Sequence, residues 1–401
     1  MPLSYGGVMR RALALAALLS LPLAGAARAQ PVEVTALAAP DAFSNPGRET
    51  GLPADLWRDA SAATVRAVLP KLATAPLSKA AQALARRVLA TGAPGPQGIG
   101  DDAEILSARA RALAALGDTK AASAVLARAR GMDRSPELSR QAAESALLAG
   151  EDARACALAE GLSVGREDVY WLRLRAYCQA IGGHADQAQL TYDLAQAQAR
   201  DATFGRLMGA KLAGLGDPGP ASLRDGLDYA LSRNLGLDLH GARPTAALAA
   251  ALAGDPVEPA WPIAAGDGPA PAAAQAIAGG GAIPAETVAG LLDAAAKGHA
   301  SAPAAVIVAA YAGAETPPLR AALAALEVSE GRSAVGRNLA MEDAARAKLA
   351  GETAMLALWS CAEAGQGGLA AGERARIVRA LRLAGLDRDA RNFALEGLLA
   401  P

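Results

Sequence analysis

Apolar residues recur at intervals of three and four along most of the chain, which is the spacing of one face of a helix. The first such face begins after Pro53 and consists of Leu56, Ala60, Ala63 and Ala67. A second helix is predicted from about residue 77 to residue 91, and a Gly- and Pro-rich run at 92–96 ends it. Runs of β-branched residues are scarce, so the pattern predicts an all-α protein.

Four glycines stand 33 residues apart, at Gly117, Gly150, Gly183 and Gly216. An alanine follows each glycine after five residues, at Ala122, Ala155, Ala188 and Ala221. Small or bulky apolar residues follow after nine and twelve residues, at Leu126, Ala159 and Tyr192, and at Ala129, Leu162 and Ala195. A helix–turn–helix unit repeated at a fixed period is typical of a solenoid. The glycine suits the turn that ends a helix, because a positive φ angle strains it little.

The segment 168–198 carries the clearest copy of this unit. Tyr170-Trp171-Leu172 opens one helix, and Ala188, Tyr192 and Ala195 mark the next. This pattern resembles the tetratricopeptide repeat, over roughly residues 103–235. The resemblance implies a right-handed α-solenoid of helix hairpins. The fourth copy carries Asp225 and Asp228 where apolar or small residues belong, so we expect the array to end there.

The chain divides into three helical or loop-rich parts after residue 52. An N-terminal array is predicted over 53–253, with its last helix at 243–253. Gly and Pro crowd 254–283, which favours a hinge with a short helix near 272–278, or alternatively a plain linker. Helical hairpins resume over 284–401. The helices predicted there span 285–297, 302–312, 317–329, 338–350, 352–364, 370–384 and 387–399.

The N-terminus predicts export. Arg10 and Arg11 precede an apolar run at 12–24, and Ala27-Arg28-Ala29 offers small residues where signal peptidase cleaves. We expect a signal peptide over 1–29 and an irregular segment over 30–52. A retained anchor helix is the alternative, although the run is short for one. The expected location is periplasmic or secreted, with no transmembrane segment after processing.

Composition narrows the classes of function. The chain is 52% hydrophobic but only 3% aromatic, and alanine, the best helix former, fills the difference. The net charge is −1, and loss of the three arginines of the leader takes it to −4. A duplex nucleic-acid binder normally carries a basic stripe, so we expect no nucleic-acid partner.

Motifs for catalysis, metals and cofactors are not found in the sequence. The three histidines, His184, His240 and His299, do not stand at metal-ligand spacing, and no phosphate-binding loop or nucleophile elbow occurs. Glu144-Ser145 is similar to the motif around the catalytic acid of lytic transglycosylases. However, it lies within a predicted helix at 141–149 and lacks a catalytic region downstream. We therefore expect a solvated helix face at that pair, no cofactor and no enzyme.

Three cysteines gain significance in an oxidising compartment. Cys156 and Cys178 lie on helices of consecutive repeats, and such helices pack side by side in a tetratricopeptide stack. A disulfide between them is predicted, with two buried free thiols as the alternative. Cys361 is expected to be unpaired and buried.

Four aromatic residues could form a binding surface. Tyr170, Trp171, Tyr177 and Tyr192 either line a groove for a peptide or glycan, or fill the core of the repeats. The sequence favours an exported scaffold that binds a protein partner through a concave surface, without catalysis. A glycan-associated factor of the cell envelope is one alternative. An enzyme with an unrecognised site near 254–283 is another.

Overall fold

A computed structural model describes residues 40–127, 129–214, 217–245, 248–249, 252–253, 257–263, 268–297, 302–314, 316–322 and 334–399. The predicted signal peptide over 1–29 therefore lies outside the described residues. Throughout the described part, regular secondary structure is helical and no strand occurs. In the same part, no helix is long and apolar enough to cross a membrane.

Seventeen α-helices are labelled here in chain order. The first ten are α1 Ala62–Leu72, α2 Lys79–Ala90, α3 Ala103–Ala115, α4 Thr119–Leu126, α5 Pro136–Leu148, α6 Asp152–Gly161, α7 Val169–Ile181, α8 Ala185–Gln198, α9 Ala202–Ala213 and α10 Gly226–Asn234. The others are α11 Pro269–Ala278, α12 Ala285–Lys297, α13 Ala302–Ala312, α14 Val335–Arg346, α15 Ala350–Ala364, α16 Ala371–Leu383 and α17 Asp387–Leu399.

The C-terminal helices follow the sequence pattern closely. The bounds of α12, α13 and α17 coincide with the predicted ones, whereas α14 and α15 begin two or three residues early. Helix α11 includes the short helix predicted near 272–278. The predicted helices at 243–253 and 317–329 are only partly within the described residues.

The start of the first helix was predicted wrongly. Residues 53–59 form turns, and α1 begins only after Ser61, whose side chain caps it by accepting the Thr64 amide. Ala63 and Ala67, which the pattern placed on the apolar face with Leu56 and Ala60, are exposed. The buried face of α1 consists instead of Val65, Val68, Leu69 and Leu72. Burial of large aliphatic side chains removes more apolar area from water than burial of alanine, so they set the orientation of the helix.

The periodic glycines end helices as predicted. Gly117, Gly150 and Gly183 have φ angles of 82°, 80° and 81°, and Gly216 lies outside the described residues. After Gly117, the Asp118 amide donates to the Leu113 carbonyl, the bond of a Schellman motif. The same bond follows the other two glycines, and it recurs after Gly385. These turns pair α3 with α4, α5 with α6 and α7 with α8, and each pair packs on the next. A right-handed superhelix of such pairs stays a prediction.

The two ends of the described chain share one hydrophobic core. It combines buried residues from 42–142 with buried residues from 273–395. Helix α15 packs on α1 and α2, and α17 packs on α2. Carboxylates complete this contact, because Glu352 accepts the Ser61 amide and Glu396 accepts the Ala80 amide. The segments predicted as an N-terminal array and as C-terminal hairpins thus meet across this core.

Part of the predicted hinge at 254–283 is packed on α17. The indole of Trp261 donates to Asn392 Oδ1 at 3.1 Å, and Glu258 forms an ion pair of 2.6 Å with Arg388. Residues 257–263 are therefore fixed to the C-terminal helices by polar contacts.

Candidate functional site

The four aromatic residues of the predicted groove fall into two groups. Trp171 and Tyr177, on α7, are 2% and 0% exposed and belong to a second hydrophobic core. Tyr170 and Tyr192 are partly buried and pack against that core. Core packing, the second of the two interpretations of the sequence, therefore describes Trp171 and Tyr177. These two rings are not available to a ligand in this conformation.

Helix α10 closes this second core. It packs on both α5 and α9, so the chain returns to α5 after α9. Its buried residues Leu227, Ala230 and Leu231 join the core that contains Trp171 and Phe204. The core that contains Trp171, one of the predicted groove residues, is thus completed by a helix of the same chain.

Glu144, on α5, lies directly under the start of α10. Its Oε2 accepts the Gly226 amide at 2.6 Å, whereas Oε1 is buried and has no hydrogen-bond partner. Its neighbour Ser145 is 1% exposed. The expectation of a solvated helix face at Glu144-Ser145 is therefore wrong, because α10 covers this face of α5.

Burial perturbs the acidic groups around Glu144. Burial, aided by the nearby Asp225 carboxylate, raises the pKa of Glu144 to about 7, while its bond to the Gly226 amide, the adjacent Tyr170 hydroxyl and the charge of Arg140 act in the opposite direction. Burial also raises the pKa of Asp225. The Tyr170 hydroxyl, buried beside Glu144, has its pKa raised well above the usual value, first by burial and then by the Glu144 charge. That hydroxyl also lacks a hydrogen bond of ordinary geometry.

A cleft of about 240 Å³ opens beside these groups. It is lined by Arg140, Val169, Tyr170, Arg173, Phe204, Arg224, Asp225, Leu227 and Asp228. Two of its charges pair with each other, Arg224 and Asp228 at 2.5 Å, and both Arg224 and Arg173 contact the neighbouring Asp201, at 3.1 Å and 3.3 Å. The guanidinium of Arg140 lies 4.5 Å from the centre of the Tyr170 ring. Ion pairing within the protein leaves this cleft without a marked preference for anions.

The cysteines lie as the sequence favours. The sulfur atoms of Cys156 and Cys178 are 2.01 Å apart, at disulfide distance, and link α6 to α7. Cys361 is buried and free, and burial raises the pKa of its thiol, which disfavours the reactive thiolate.

An exposed apolar stripe on α8 is a feature that the sequence analysis did not identify. Leu190 and Leu194 are 73% and 55% exposed and stand one turn apart. Helix α8 packs on α7 and α9 and leaves this face uncovered. The spacing of these leucines was visible in the sequence, but spacing alone does not distinguish a core face from an open one. His184, which immediately precedes α8, is exposed.

Groups that could hold a metal are not found among the described residues. Within 257–263 and 268–283, the parts of the predicted hinge that are described, Glu258 is the one carboxylate and it is paired with Arg388. Comparison with known proteins gives no relative: no family model, no curated protein and no solved structure matches the chain.

Proposed function

We propose that this protein is an exported, non-catalytic helical scaffold that binds a protein partner through the exposed stripe on α8. The observation that carries the proposal is the exposure of Leu190 and Leu194 on a helix that buries only its alanines Ala188 and Ala195. Large apolar side chains grouped on a surface mark interaction sites more often than single exposed ones do. Covering each leucine contributes about 1.5–3 kcal/mol to association before the entropy of association is subtracted.

The surroundings of the stripe define the chemistry of the partner. Asp186 and Asp193 are exposed on the same helix, and α8 contains no lysine or arginine. An apolar patch flanked by acidic groups is complemented by an apolar patch flanked by lysine or arginine. The partner is therefore expected to present a basic rim around its apolar contact.

Two observations support the proposed location outside the cytoplasm and the proposed class of function. The Cys156–Cys178 pair at disulfide distance fits an oxidising compartment, in agreement with the leader predicted over 1–29. The burial of Trp171 and Tyr177 disfavours a glycan-binding row of aromatic side chains, which would have to be exposed.

A paired-variant experiment tests the docking surface. The exported protein is compared with the double variant Leu190→Asp and Leu194→Asp in crosslinking and affinity capture from envelope extracts, followed by titration of the captured protein. The matched control is Leu339→Asp, which changes a leucine that is 63% exposed on α14. We expect the double variant to lose the partner and the control to keep it. Equal capture by all three proteins would refute docking at α8.

A further inference from the structure

Helix α10 is a short element seated on a larger surface. It has nine residues, and its buried residues are Gly226, Leu227, Asp228, Ala230, Leu231 and Ser232. Its C-terminal part is tied by Arg233, whose guanidinium forms an ion pair of 2.6 Å with Asp152. Gly219 before it and Gly236 after it have φ angles of 64° and 68°, in the region that suits glycine at a chain reversal.

The first turn of α10 makes the closest approach to α5. A Cβ atom on Gly226 would lie 2.7 Å from Glu144 Oε2 and 3.1 Å from the Glu144 carbonyl oxygen. Only glycine allows this contact, so the first turn of α10 lies directly on the Glu144 side chain. Any change in that side chain acts at the point where α10 begins.

The charges that face Glu144 come from three elements. Arg140 belongs to α5 itself, Tyr170 belongs to α7, and Asp225 precedes α10 and caps it by accepting the Asp228 amide. The one cation, Arg140, is exposed and lies over the Tyr170 ring. An ionised Glu144 is therefore a buried carboxylate with a like charge nearby and the Tyr170 hydroxyl beside Oε1, and solvent screens most of the attraction to Arg140.

Protonation removes this conflict. A neutral carboxyl no longer repels Asp225, and its proton gives Oε1 a donor hydrogen beside the Tyr170 hydroxyl. The other oxygen continues to accept the Gly226 amide. We propose that Glu144 is a pH-sensitive latch under α10: protonated, it holds α10 on the second core, and ionised, it lets α10 lift and expose Trp171 and Phe204. This inference is independent of docking at α8.

The change of the α10 opening equilibrium with pH follows from its linkage to proton binding by Glu144. The pKa of Glu144 is about 7 under α10 and 4.5 in water, so the covered state favours the protonated form. The latch is therefore strongest below pH 4.5, weakens between pH 4.5 and 7, and stays weak at higher pH. Between pH 6 and pH 8, the equilibrium constant for opening rises about tenfold.

The surface that α10 uncovers when it lifts fits another helix with the same apolar face. Leu227 and Leu231, four residues apart, already fill it from α10. An amphipathic helix with leucines at that spacing is therefore the class of ligand that the open state accepts. Because apparent affinity scales with the open fraction, binding of such a helix becomes stronger as the pH rises.

Hydrogen exchange of the full chain tests the latch. The amides of α10 should show an opening equilibrium that increases about tenfold from pH 6 to pH 8 after correction for intrinsic exchange. The amides of α2 are the reference within the same molecule and should stay protected. Glu144→Gln, which stays neutral, should abolish the pH dependence, and Asp225→Asn should move it to lower pH.

Binding of a synthetic peptide with the sequence of residues 224–237 completes the test. We expect the full chain to bind it about tenfold more tightly at pH 8 than at pH 6. A control peptide carries aspartate in place of the leucines corresponding to Leu227 and Leu231 and should not bind. The proposal is overturned if Glu144→Gln keeps the pH dependence of exchange, if the wild type shows none, or if both peptides bind equally.

Discussion

At the scale of single residues, a buried arginine stabilises the start of the described chain. Arg109, on α3, is 0% exposed and has no carboxylate among its hydrogen-bond partners. Its guanidinium donates to four backbone carbonyls at 2.7–2.9 Å, those of Leu89, Ala42, Asn45 and Thr91. Burial lowers its pKa to about 9, which still leaves it charged at neutral pH. One side chain thereby fixes the segment before α1 to the end of α2.

The replacement Arg109→Met should be strongly destabilising. It keeps much of the aliphatic volume but leaves four carbonyls without their donor, and each unsatisfied buried group costs about 1–3 kcal/mol when no water replaces the lost partner. We expect a loss of at least about 3 kcal/mol in the free energy of unfolding, measured with urea. Arg111→Met is the control, because Arg111 is exposed on the same helix. A similar small loss in both variants would contradict this role of Arg109.

Residue environments were the hardest feature to predict from the sequence. Arg109 and Glu144 carry charged side chains, which on a helix normally face solvent. Arg109 is buried by a segment 64 and 67 residues before it, and Glu144 by a helix that begins 82 residues after it. Local pattern carries no information about such distant chain. The pairing of Cys156 with Cys178 was accessible, because only 22 residues separate them and both helices show the repeat pattern.

At the scale of elements, helix α14 ends in the same Schellman turn as α3, α5 and α7, but without a glycine. After α14, the Leu349 amide donates to the Ala344 carbonyl and the Lys348 amide donates to the Ala345 carbonyl. Lys348 adopts the φ angle of 57° that this Schellman closure requires. A residue other than glycine costs roughly 1–2 kcal/mol of conformational free energy when it adopts this left-handed φ angle.

Replacing Lys348 by glycine should therefore stabilise the protein. Relief of the strain exceeds the extra entropy of glycine in the unfolded chain, so we expect a gain of about 0.5–1 kcal/mol in the free energy of unfolding. Lys348→Ala, which keeps a Cβ atom, controls for loss of the lysine charge and should give no gain. Equal stability of the glycine and alanine variants in urea titrations would show that the turn is not strained.

Helix bounds were predictable where the local signals were sharp. Gly385 ends α16 and is followed two residues later by α17, so the bounds of α17 could be read from local sequence. The start of α1 was missed because alanine was given the same weight as larger apolar residues. In a chain this rich in alanine, apolar residues occur on every face, and the positions of valine and leucine decide which face is buried.

At the scale of the whole molecule, a carboxylate from the last helix organises the second one. Glu396 of α17 accepts the Ala80 amide at 2.9 Å and the Ser78 hydroxyl at 2.7 Å, at the N-terminus of α2. It also forms an ion pair of 2.7 Å with Arg374 of α16. A carboxylate at a helix N-terminus is favoured by the helix dipole and by the free amides there. This contact spans 318 residues of sequence, so no local pattern could have indicated it.

Glu396→Ala should therefore destabilise both ends of the chain together. The change leaves Arg374 buried without its partner and α2 without its carboxylate, and breaking a buried pair in this way costs about 3–5 kcal/mol. The control is Glu342→Ala, which breaks more exposed ion pairs with Arg346 and Arg376 and should cost about 1 kcal/mol or less.

Where Glu396→Ala lowers hydrogen-exchange protection tests whether the two ends of the chain unfold together. Because α1, α2, α15 and α17 share one core, we expect hydrogen-exchange protection to fall in the helices of both ends by a similar factor. If α17 loosened while α1 and α2 kept their protection, the two ends would be independent units in contact. A common fall would instead mean that residues separated by most of the chain unfold as one cooperative body, together with the helices between them.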